Sequence, residues 1–138
     1  MKKQLAVLAA LFVLAATAYA HHPFAAEYDW TKPVTITGTV GKVEWTNPHA
    51  VLYMDGKDEN GQMKNWTLEL GNPAALTRAG WSRNILKMGD QVTVEGWFSK
   101  TKNDKANVKS VKLSDGRELS GASSITSIRS DKNKPVSN

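Results

Sequence analysis

The sequence of 138 residues contains no cysteine. That rules out a disulfide-stapled scaffold and a cysteine nucleophile, and no spacing of ligands matches a closed zinc site. There is no Gly-x-Ser-x-Gly elbow and no phosphate-binding P-loop. Histidine is scarce, with only His21, His22 and His49, so a Ser-His-Asp arrangement would rest on His49 alone. Carboxylates such as Glu44 and Glu69 can meet across strands, but their phase turns them to a solvated face. Together these absences argue against an enzyme. Internal repeats are lacking too, and the length leaves room for one domain.

One long apolar run exists, and it lies at the start. Met1-Lys2-Lys3 is a positive n-region, Leu5 to Ala16 an apolar core, and Ala18-Tyr19-Ala20 an A-x-A cleavage site. A retained membrane anchor needs about 20 apolar residues, and this run is shorter. Residues 1–20 therefore read as a signal peptide cleaved after Ala20. The mature chain is expected to be exported, periplasmic and without a transmembrane segment. Loss of Lys2 and Lys3 leaves 16 basic against 13 acidic residues. A net charge of +3 outside the cytoplasm suggests weak attraction to anionic surfaces, and nucleic acid is not an expected partner.

The rest of the chain is organised around Val34 to Leu70. Apolar side chains alternate at Val34/Ile36, Leu52/Met54 and Trp66/Leu68/Leu70, while Thr35/Thr37 and Thr67/Glu69 take the other face. The first run changes phase midway, from even positions through Val40 to Val43 and Trp45, with Gly41 at the join. An extra residue beside a glycine predicts a β-bulge that bends the strand. Gly71-Asn72-Pro73 to Gly80 has the punctuation of a two-turn helix, with Asn72 at the N-cap and Pro73 in the first turn. Trp81 follows as a plug for an open end. Gln91–Phe98 and Val108–Leu113 read as two further strands, joined by a polar hairpin over 100–107. Asp115-Gly116 is a turn, after which Arg117-Glu118-Leu119 adds a short edge pairing.

Three strands, a short helix and two strands is the order of a small OB-like β-barrel, an all-β fold with one short helix, β1-β2-β3-α-β4-β5. The expected divisions are an N-terminal arm over 21–33, the barrel over 34–119, and a disordered tail over 120–138.

Four segments also resemble a family of small exported bacterial proteins of unknown function. They are His21-His-Pro-Phe-Ala-Ala-Glu-Tyr-Asp29, Gly38-Thr-Val-Gly-Lys-Val-Glu-Trp-Thr-Asn-Pro-His-Ala50, Asn65-Trp-Thr-Leu-Glu-Leu-Gly-Asn-Pro73 and Arg78-Ala-Gly-Trp-Ser-Arg-Asn84. The resemblance covers nearly all the mature chain except its C-terminal tail. It implies no catalytic residue. A looser similarity to periplasmic OB-fold families implies the same fold and compartment.

Two constellations point to binding. Processing after Ala20 makes His21 the N-terminal residue, whose α-amine and imidazole form a chelate. With His49 as a third nitrogen donor, and His22 beside it, the set suits Cu(II). The second is the barrel mouth, where Trp45, Asn47, His49 and Trp97 are the candidate ligand contacts. Lys100, Lys102, Lys105, Lys109 and Lys112 make the neighbouring hairpin basic, although basic hairpins also block edge-to-edge aggregation. The alternation makes three or more of the five tryptophans core residues. The expected activities are binding of a small ligand or glycan, copper binding as an accessory protein, or a protein adaptor role without a small ligand. A monomer is expected.

Overall fold

The computed structural model describes residues 24–124. Its elements are α1 (Phe24–Glu27), β1 (Tyr28–Glu44), β2 (Val51–Lys57), β3 (Met63–Glu69), α2 (Pro73–Arg78), β4 (Gln91–Ser99), β5 (Lys105–Leu113) and β6 (Glu118–Ser120). The expected order is found, with α2 between β3 and β4. Hydrogen bonding runs β3-β2-β1-β4-β5-β6, and β3 also pairs with β5. Five strands therefore form a ring, and β6 extends it at the outside of β5. Residues 1–23, which hold the expected signal peptide together with His21 and His22, and residues 125–138 lie outside the described residues.

The phase change in β1 is the predicted bulge. Val40 pairs with Met54 and Lys42 with Tyr53, so Gly41 is the extra residue. One bent strand can then pair with β2 through 37–44 and with β4 through much of 28–39. The inward set buries as the alternation requires: Ile36, Leu52, Leu68, Leu70 and Leu76 are fully enclosed, with Trp66 beside them. Removing so much apolar surface from water is the main stabilising term, at roughly 25 cal/mol per Å². Trp66 gives its indole N–H to the Gly56 carbonyl at 3.1 Å, and Trp81 gives its own to Ser120 at 2.8 Å. Trp66, Trp81 and Trp97 are buried, in line with the expected share of structural tryptophans.

The punctuation around α2 is also as read. Asn72 Oδ1 accepts from the Ala75 N–H at 2.8 Å, and Pro73 opens the helix. Gly80 stands just past its end at a φ of +93°, where a side chain is disfavoured. The β2–β3 turn is held by Asp58, which accepts from the N–H groups of Asn60 and Gln62 and from Lys64 Nζ, each at 3.0 Å. Lys64 holds the Asp58 carboxyl below the usual carboxylate range.

Three boundaries differ from the sequence reading. The first strand begins at Tyr28 rather than Val34, because its pairing with β4 skips between Tyr28 and Pro33 and thereby accommodates a proline without an N–H. The fifth begins at Lys105, inside the expected hairpin loop, because Lys105–Asn107 pairs in parallel with Thr67–Glu69. Ser120 ends β6, and Gly121 and Ser123 are buried, so the packed chain runs past Leu119. Gly121 ties β5 to the segment after β3: its N–H donates to the Lys109 carbonyl and its own carbonyl accepts from the Gly71 N–H, at 2.7 and 2.8 Å.

Candidate functional site

The parallel β3–β5 contact places chemistry that the alternation alone does not. Its register sets Glu69 opposite Asn107, while on its other side Glu69 pairs with Val51, just after His49. Thr46 Oγ1 closes the loop before β2 by donating to the His49 carbonyl at 2.9 Å. The Asn47–Pro48 peptide bond within it is cis. Ala50 is fully buried and exchanges backbone hydrogen bonds with Leu70 and Gly71. His49 is thus carried by a loop anchored on both sides.

These residues form a polar cluster on Glu69. Its Oε2 accepts from the Tyr28 hydroxyl at 2.7 Å, and its Oε1 accepts from Asn107 Nδ2 at 3.4 Å. His49 Nδ1 stands 3.9 Å from the same Oε1, too far for a hydrogen bond. Tyr28 is 1% exposed. Burial first, then its bond to Glu69 and the charge of that carboxylate, raise its phenol well above the ordinary range.

Two atoms of this cluster are buried without a hydrogen-bond partner among the described residues: His49 Nδ1 and Asn107 Oδ1. Leaving a buried polar group unpaired costs about 1–3 kcal/mol, so such atoms are rare and call for an explanation. Both side chains line a cleft of about 890 Å³. Its walls include Pro48, Leu70, Ala75 and Ala122, with Asn47, Asn72 and Arg78 as polar members. Ala122 carries a positive φ of 51°, a left-handed backbone that alanine adopts at a cost of roughly 1–2 kcal/mol. A smaller hollow of about 630 Å³, bounded by Thr67 and residues 101–105, contains neither of the two unpaired atoms.

Of the residues expected at the mouth, Asn47 and His49 line the cleft, and Trp45 and Trp97 do not. Trp45 packs half-buried against the core. A second bulge leaves Lys109 of β5 as the extra residue opposite the Glu95–Gly96 step, while β4 keeps its own phase, with Trp97 on the side of Thr93 and Glu95. Trp97 there meets Phe24 of α1 edge-on at 5.6 Å, and Phe24 also touches Tyr28 at 5.4 Å. Several hairpin lysines are already engaged: Lys100 donates to the Ala25 carbonyl, Lys105 pairs with Glu27 and Lys109 with Glu95. Among the described residues no three His, Cys, Asp or Glu side chains gather as a metal site.

No sequence signal marks Asn107, which lies in a stretch without apolar alternation and owes its place beside Glu69 to a partner strand far away in sequence. Glu69 was visible only as an outward carboxylate, and residues 120–124 only as tail. No helix among the described residues is long and apolar enough to cross a membrane. No curated protein and no solved structure matches the chain. A family model does match, over residues 9–108, and the chain belongs to that family, the family of unknown function DUF6152.

Proposed function

We propose that this protein is an exported binding module whose small ligand seats in the cleft between the Asn47–His49 loop, α2 and residues 120–124. The observation that carries the reading is the pair of buried, unpartnered atoms, His49 Nδ1 and Asn107 Oδ1, in side chains that line that cleft. Small-molecule sites combine apolar walls with a few convergent polar groups, and this cleft has both. Unpaired atoms of this kind cost stability in the empty protein and regain it when a ligand supplies the missing partner. Export is supported by the n-region, apolar core and A-x-A order of residues 1–20.

The test is an NMR titration of 15N-labelled protein purified after its own processing, using β-alanine, ethylamine, propionate and glycerol as probes. Binding in the cleft shifts the amides of His49, Leu70, Gly71, Asn107 and Gly121 with at least one probe. Shifts confined to other residues, or an unchanged spectrum with all four, overturn the reading. The two atoms are then satisfied by ordered water alone.

A further inference from the structure

We infer that the cleft takes a small zwitterion, a primary amine that also carries a carboxylate, with its ammonium group at the Asn107–His49 wall and its carboxylate toward Arg78. This rests on the ligand-binding reading above and specifies its chemistry.

The inner wall is one-sided in its hydrogen-bonding capacity. Asn107 is 4% exposed and turns its nitrogen to Glu69, so its free end can only accept. Glu69 behind it accepts from Tyr28 and Asn107 and has nothing to donate. His49 Nδ1 accepts as well when the ring proton is on Nε2. A hydroxyl group has one hydrogen to donate and would satisfy one of these acceptors. An ammonium offers three donors and no acceptor, which matches the set.

Charge points the same way. Among the described residues Glu69 has no Lys or Arg within ion-pair distance, and His49 Nδ1 stands 3.9 Å from its Oε1. Lys105 reaches the Tyr28 ring, 5.6 Å from its centre, but pairs with Glu27. The Glu69 side chain is only 18% exposed, so water screens it incompletely, and a cation offsets its charge where a hydroxyl does not. Arg78 lines the same cleft from the last turn of α2 and forms no ion pair with any described residue. A bare amine would meet its repulsion. A ligand that also carries a carboxylate offers its planar fork a partner.

The four probes are chosen to separate the two readings. Ethylamine is β-alanine without the carboxylate, propionate is β-alanine without the amine, and glycerol carries only hydroxyl groups. The expected order is β-alanine tightest, ethylamine weaker by about tenfold, and propionate and glycerol weaker still. In Arg78→Gln, at an exposed position, β-alanine should fall to the affinity of ethylamine while ethylamine holds or improves. In Glu69→Gln, with the fold confirmed by its amide spectrum, ethylamine should lose its advantage over glycerol. Propionate or glycerol binding as tightly as ethylamine in the cleft overturns the zwitterion and leaves the binding module standing. An unchanged preference in Glu69→Gln also overturns it. Silence of all four probes removes the binding module, and the zwitterion with it.

Discussion

Asn107 and Glu69 face each other in register across the parallel β3–β5 pairing, with the asparagine nitrogen 3.4 Å from Glu69 Oε1. The bond fixes which way the amide points, and it strands Oδ1 in a buried position. A side chain selected only for stability would not be left so.

The first prediction follows from that cost. Asn107→Leu removes the stranded oxygen, gives up only a long 3.4 Å bond to Glu69 Oε1 and keeps the backbone pairing, so the unliganded protein should gain about 1 kcal/mol. Urea denaturation measures it. A loss of similar size would show that the bond to Glu69 outweighs the stranded oxygen, and the functional account of that oxygen would go.

The second concerns Tyr28. Its phenol is raised above the ordinary value of 10.0 by burial and by Glu69. The unfolded chain ionises near that value while the folded one stays protonated. Tyr28 therefore contributes stability that is complete below pH 10 and declines as pH rises beyond it. In the ultraviolet difference between the protein and Tyr28→Phe, phenolate absorbance should appear only together with alkaline unfolding. A phenolate signal near pH 10 from protein that is still folded would refute the burial of this hydroxyl.

The third concerns the wall made by residues 121–124. A methyl group at Gly71 would lie 2.3 Å from the Ala122 carbonyl oxygen, a distance that backbone cannot tolerate. Gly71→Ala should cost about 2 kcal/mol in urea denaturation and shift the amides of Gly121 and Ala122. A variant as stable as the parent, with those amides unmoved, would mean that the segment does not sit against Gly71.

Much of the fold was legible because it is written locally. The period of two at Leu52/Met54 and Trp66/Leu68 gave the strands, and the slip in phase at Gly41 gave the bulge. Asn72, Pro73 and Gly80 marked out α2 through backbone demands that any chain must meet. Asn47 and His49 were legible as residues of the loop between the first two strands, and they line the cleft. What was not legible is set by register between distant segments. Nothing in Lys105-Ala106-Asn107 announces a parallel partner, and nothing near Trp97 announces that Phe24 of α1 covers it. The polar cluster needs Tyr28, Glu69 and Asn107 together, and no local pattern links the three.

The parallel seam is three residues long and joins positions 38 apart in Glu69 and Asn107. The β2–β3 hairpin is local and can zip early, whereas a short parallel join must first overcome the loss of chain freedom across the intervening segment. The seam is therefore among the last parts of the molecule to set and the first to come apart. A half-wrapped chain has no cleft beside Asn107, and on the proposed reading a guest seated there would act as a clasp that slows opening of the ring.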